Sequence, residues 1–152
     1  MTRLVVLDSG PLGLLAYSKA SDDALECTRW IRRLIVVGNE IVIPEISDYE
    51  VRRELLRIGP TKGLLKLESL LTVGGSRFLP IDTPAMRLAA NLWADARRSG
   101  QPTAAPEALD ADVILAAQAI GETGSGPVIV ATANVNHISR YVSAAHWRDI
   151  DP

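Results

Sequence analysis

Cysteine, histidine and phenylalanine are scarce in this chain: one Cys, two His and one Phe among 152 residues. The single cysteine, Cys27, excludes an internal disulfide and a cysteine-based zinc site. It reads as a core residue of a cytosolic protein. The two histidines, His137 and His146, stand at no spacing that makes a zinc pair. Charge of one sign is scarce as well. Charged residues make up 22% and the formal net charge is −2, which excludes a general basic coat for nucleic acid. Any nucleic-acid binding must come from a local patch. Long apolar runs are missing: the longest candidate, Val128–Ala133, has the length of a strand rather than of a membrane span. The start of the chain, Met1-Thr2-Arg3-Leu4, runs directly into a strand-like segment. It lacks the long apolar stretch and small-residue cleavage site of a signal peptide, so a cytoplasmic location is expected. There is no G-x-G-x-x-G, P-loop, G-x-S-x-G or H-E-x-x-H motif.

What is present is a globular composition, 47% apolar, at a length usual for one compact domain. Leu4-Val5-Val6-Leu7 is a continuous apolar run of the kind buried on both faces of a sheet. After a helix-like stretch, a second helix is expected from Asp22 to Val37, with Ser21 as N-cap. Glu40–Ile43 reads as a strand stopped by Pro44, and Ser47–Ile58 as a helix ended by Gly59-Pro60. A helix over Lys62–Leu71 and a weak strand at Arg77–Leu79 follow. The next helix has Thr83 as its cap, Pro84 in its first position and Gly100 after its end, with Met86, Ala89, Ala90, Trp93 and Ala96 as its apolar stripe. Gln101–Ala108 reads as a loop, Ala111–Ile120 as a helix, Pro127–Val130 as a strand and Ala145–Ile150 as a last short strand. Strands alternating with helices predict an α/β fold with a parallel sheet covered on both faces.

The acids fall at telling places in that frame. In an open parallel sheet, ligands bind beyond the carboxyl ends of the strands. Asp8 follows the first strand at once, and Asn134 follows the late strand by a few residues. Asp112 opens a run, Asp112-Val-Ile-Leu-Ala-Ala-Gln-Ala-Ile, that is apolar almost all round and therefore belongs to a buried helix. A carboxylate at the edge of a core needs a partner, and a metal ion is a good one. Asp110 is suited to cap the helix while Asp112 binds. For Glu50 two readings stand side by side. Ser47-Asp-Tyr-Glu50 matches a capping box, and Glu50 is also an acid in the helix after the second strand. The neighbouring Arg52, Arg53, Arg57, Lys62 and Lys66 form a basic stretch that either faces solvent or holds phosphates.

Four segments, in order along nearly the whole chain, resemble the motifs of the PIN domain and, within it, the VapC-like toxins. Leu4-Val-Val-Leu-Asp8-Ser9-Gly-Pro-Leu12 is similar to the family's first strand and its metal-binding aspartate. Ile43-Pro-Glu-Ile-Ser-Asp-Tyr-Glu50 resembles the second motif, Asp110-Ala-Asp112-Val-Ile-Leu-Ala-Ala-Gln-Ala119 the third, and Val130-Ala-Thr132-Ala-Asn134-Val-Asn-His137 the last. At the end of the last motif His137 stands where the pattern carries an acid. The resemblance implies a single PIN-like domain over residues 1–152, with a three-layer α/β/α arrangement around a short, mainly parallel central sheet. It implies Asp8, Glu50 and Asp112 as catalytic residues and ligands of Mg2+ or Mn2+. Ser9, Asp110, Thr132 and Asn134 would be hydrogen-bond partners around them. One ion or two remains open. It implies an endoribonuclease with an RNA substrate, paired with a small antitoxin, away from membranes. The alternative is a weak or inactive member that binds nucleic acid or protein. A homodimer is expected through the middle helices, where Leu88 and Leu92 lie four apart, off the main stripe, as a second apolar patch.

Overall fold

The computed structural model describes residues 2–17, 21–59, 62–100 and 106–152. Five short strands are β1 (Leu4–Leu7), β2 (Glu40–Pro44), β3 (Ser76–Leu79), β4 (Val128–Ala131) and β5 (Ala144–Ala145). They form one sheet in the order β3-β2-β1-β4-β5, and every neighbouring pair is parallel. Seven α-helices accompany them among the described residues: α1 (Ser9–Ala16), α2 (Asp22–Val36), α3 (Glu45–Ile58), α4 (Lys62–Leu70), α5 (Thr83–Arg98), α6 (Pro106–Gly121) and α7 (Val135–Ile138).

The apolar run of β1 is buried throughout, and its alternation divides two cores. Val5 and Leu7 point into a cluster with Cys27, Trp30 and Leu34 of α2 and Val51 and Leu55 of α3. Leu4 and Val6 point the other way, onto Leu115 and Ala119 of α6 and onto Ile138. Successive strand residues face opposite sides, so a run apolar at every position is what a sheet covered twice requires. Burying each such side chain stabilises the fold by about 1.5–3 kcal/mol. The result is the three-layer α/β/α arrangement. A third cluster joins α5 to the outer side of α6 through Ala89, Ala96, Leu109, Val113 and Ala117. No helix among the described residues is long and apolar enough to cross a membrane.

Several local expectations are corrected. The capping box at Ser47 is not formed: β2 passes straight into α3, Pro44 is the N-cap, and Ser47 is fully buried inside the helix. Asp82, not Thr83, caps α5, its carboxylate accepting from the amide of Ala85 at 2.8 Å. Of the predicted loop Gln101–Ala108, positions 101–105 lie outside the described residues, and the helix is already under way at Pro106. Asp110 is therefore interior to α6 and caps nothing. The last strand is only Ala144–Ala145, followed by a 3-10 turn at Trp147–Asp149. The indole N–H of Trp30 donates to the carbonyl of Ile150 at 2.8 Å and fastens this end of the chain to α2.

The expected stripe of α5 is buried only in part, at Ala89 and Ala96. Leu88 and Leu92 pack against the α5–α6 cluster, whereas Met86 and Trp93 are exposed. The second apolar patch expected at Leu88 and Leu92 is thus used within the chain.

Candidate active site

Strand order reverses at β1, which has β2 on one side and β4 on the other. At such a switch point the two connections leave in opposite directions and a crevice opens beyond the strand ends. Asp8 lies directly after β1 and Thr132 directly after β4, in register, since Leu7 pairs with Ala131. The Asp8 carboxylate is held from two sides. One oxygen accepts from the amide of Ser9 at 2.7 Å, capping α1, and the other accepts from the hydroxyl of Thr132 at 2.7 Å. That hydroxyl, with no solvent exposure, accepts in turn from the amide of Asn134 at 2.8 Å. Ser9 and Asn134 thus enter the network through backbone N–H groups. Asp110 is exposed and lines a cleft beside Glu50.

Glu50 comes from the second turn of α3 and Asp112 from the middle of α6, with 23% and 14% of their side-chain surfaces exposed. Burial pushes the Glu50 carboxyl above its ordinary range; the charge of Asp8 adds to the rise, Arg53 opposes it, and Asp112 adds again. Burial likewise raises Asp112, Asp8 raises it further, and His137 and Arg140 oppose. Although 42 and 62 positions separate the three acids in the chain, the charge of Asp8 reaches both Glu50 and Asp112 and disfavours their ionised forms. His137 turns its Nδ1 to 3.4 Å from Asp112.

The donor set is oxygen-only, the chemistry that suits Mg2+ or Mn2+. A divalent cation would relieve the repulsion recorded in the raised carboxyls. Among the described residues no three His, Cys, Asp or Glu side chains are drawn close enough to enclose an ion. A shared ion would have to draw these three together.

Much of the basic stretch is spoken for. Arg52 makes a two-pronged contact with Asp48, both bonds 3.0 Å, and also binds Glu68. Arg57 is bound to Glu54. Arg53 is different: it sits 3.8 Å from Glu50 and 5.0 Å over the Tyr49 ring. The sequence marked it only as one cation among several, although its spacing of three from Glu50 on a helix already makes the two neighbours.

The raised carboxyls carry a pH signature. Between the ordinary values, 4.5 for Glu50 and 3.8 for Asp112, and their raised values, the folded chain holds more protons than the unfolded one. Stability then falls as pH rises through that window. Glu50→Gln is expected to raise the melting temperature of the metal-free protein near neutral pH, by an increment that shrinks as the pH is lowered toward 4.5. Thermal melts in chelator across that range check this; an increment that grows on acidification contradicts it.

The same architecture occurs in solved structures. A chain of FitAcB from Neisseria gonorrhoeae superposes with a TM-score of 0.67 at 20% identity, over 96% of this chain and 99% of that one. VapBC2 from Rickettsia felis, bound to a DNA fragment from its promoter, gives 0.68 at 17% identity over 95% and 98%. VapBC-5 from Mycobacterium tuberculosis, a member of the VapBC family of toxin–antitoxin systems, gives 0.54 at 21% over 94% and 96%. No family model matches the sequence, and no curated protein matches it significantly. At these identities the likeness is one of fold: the chain has the PIN-like α/β/α fold of VapC-type structures.

Proposed function

We propose that this chain is a divalent-metal-dependent endoribonuclease, the toxin of a VapBC-like pair. The observation that carries the reading is the Asp8 carboxylate, held by the Ser9 amide and the Thr132 hydroxyl at the switch point of a PIN-like fold, with the half-buried acids Glu50 and Asp112 within reach of its charge. Asp8, Glu50 and Asp112 would hold Mg2+ or Mn2+, which supplies a polarised scissile phosphate and a water of lowered pKa. Glu50 is the residue suited to orient the attacking water or to accept its proton. The Thr132 hydroxyl and the Ser9 amide keep the Asp8 carboxylate aimed into the crevice. Two of the three acids sit on helices that also pack the core, so their backbones are fixed before substrate arrives.

A small antitoxin and a second copy of the chain belong to the same proposal. The toxin–antitoxin structures that share the fold support the first. The apolar side chains of Leu65, Met86 and Trp93, exposed on the middle helices, favour the second. The test is cleavage of RNA by the purified protein. Cleavage is expected with Mg2+ or Mn2+ and none in excess chelator, from a species of dimer mass by light scattering. RNA left intact with either metal overturns the proposal.

A second reading, a nucleic-acid- or protein-binding module without cleavage, is favoured by one observation: an imidazole, not a carboxylate, faces Asp112. The same assay decides between the two.

A further inference from the structure

Two clefts flank Glu50, one of the three candidate acids, and they meet at the same two residues. One, about 360 Å³, lies between α1 and α3 and is lined by Ser9, Gly10, Tyr17, Glu50, Arg53 and Glu54 among others. The other, about 450 Å³, lies between α3 and α6 and is lined by Ile46, Tyr49, Glu50, Arg53, Asp110 and Ile114 among others. Glu50 and Arg53 are common to both. Each cleft carries one tyrosine.

Tyr49 stands outside the core, whereas Tyr17 packs one side against the first core cluster and lines the cleft with the rest. Tyr49 is 54% exposed although it projects from a helix whose other face is buried, and Arg53 lies over its ring. Tyr17 is half-buried at the end of α1, and the helix makes room for it: a Cβ on Gly13 would lie 3.1 Å from the ring carbon Cε2. A side chain at position 13 would push the ring off the cleft wall.

Resting on the nuclease reading, we infer that the two clefts form a track for single-stranded nucleic acid, with Tyr17 and Tyr49 as base-stacking platforms on either side of the scissile phosphate. Every base has a π face, so aromatic platforms bind strands whatever their sequence. The planar guanidinium of Arg53 stacks on a base as well as on Tyr49. In the cleft between α3 and α6 the exposed carboxylate of Asp110 repels a phosphate chain but accepts hydrogen bonds from amino groups on base edges, while Glu54 in the other cleft is already paired with Arg57. This charge pattern favours bases in the clefts and the backbone at the crossing, where Arg53 lies. A duplex, with its bases already stacked on each other, offers no free face to either tyrosine.

The test measures binding of two fluorescent probes in chelator, where no strand is cut: a single-stranded RNA and a sugar-phosphate chain of equal length without bases. Tyr17→Ala and Tyr49→Ala are each expected to weaken RNA binding roughly fivefold to a hundredfold. They are expected to leave the base-free chain unaffected. Tyr17→Phe and Tyr49→Phe, which keep the ring and the packing, are expected to bind RNA as the unaltered protein does. Unchanged RNA affinity in both alanine variants overturns the track and leaves the nuclease reading standing. Equal losses on both probes also overturn it, because a lost fold or lost charge contact produces that pattern. If the unaltered protein binds neither probe, the track is overturned, and the nuclease reading is left to the cleavage assay with metal.

Discussion

Asp8→Asn is expected to lower metal-dependent RNA cleavage by at least about a hundredfold while leaving the fold intact. Changes to groups that merely orient metal ligands already cost about 10- to 100-fold in affinity or activity, so removing the charge of a ligand itself sets a larger loss. The fold is preserved for a specific reason. Asp8 is the N-cap of α1, accepting from the amide of Ser9, and asparagine caps helices about as well as aspartate. The substitution also changes little volume, so the β1–β4 edge keeps its packing. Cleavage rates, with circular dichroism on the same sample, check both halves. Cleavage at the unaltered rate by a folded Asp8→Asn protein would remove Asp8 from the site.

The second large effect is expected at Thr132. Its hydroxyl is wholly buried and joins two things that matter: it donates to Asp8 and accepts from the amide of Asn134. Thr132→Val keeps the shape and deletes both bonds. A hydrogen bond contributes about 0.5–1.5 kcal/mol net, and one to a charged group about 1.5–3, so the variant is expected to lose roughly 1–3 kcal/mol of stability. Freed on one side, the Asp8 carboxylate loses its aim, and cleavage is expected to fall by about 10- to 100-fold. Thr132→Ser restores the hydroxyl and is expected to recover most of the activity. Denaturant unfolding and cleavage rates on the pair of variants check this. A valine variant that cuts as fast as the unaltered protein would show that Thr132 does not position Asp8.

The parts of the fold legible in the sequence were those where one residue pattern has one physical solution. Leu4–Leu7, apolar at every position, has only a doubly covered strand open to it, and the structure buries all four residues. Elements whose pattern admits two solutions were misplaced. Ser47-Asp-Tyr-Glu50 satisfies a capping box, but Pro44 ends β2 so sharply that α3 begins at Glu45 and buries Ser47. In α5 both Met86-Ala89-Trp93 and Leu88-Leu92 are apolar rows at helical spacing. α6 covers Ala89 together with Leu88 and Leu92 and leaves Met86 and Trp93 exposed, a division between the rows that local spacing does not reveal. Pro106 reads as loop because proline usually breaks helices, yet in a first turn its missing N–H has no partner to lose.

The acids divide along the same line. Asp8 was legible because strand ends in parallel sheets face ligands. Asp112 was legible because a carboxylate in an apolar helix needs a partner. Glu50 rested on family resemblance, since Glu45, Asp48 and Glu54 stand on the same helix. Asp48 is tied to Arg52 and the Glu45 carboxylate to the amide of Ile81, tertiary facts that no spacing rule supplies. The place of Tyr17 and Tyr49 in clefts beside Glu50 was not legible, because those clefts arise only when α1 and α6 close on α3.

The central claim is that Asp8, Glu50 and Asp112 act on one ion. Calorimetric titration of Mn2+ into the unaltered protein and into Asp8→Asn, Glu50→Gln and Asp112→Asn tests it most directly, since binding is read without substrate or turnover. Binding to the unaltered protein, weakened in all three variants, is the predicted result. Full Mn2+ affinity retained in any one of them, or no binding to the unaltered protein, would contradict a site shared by the three acids.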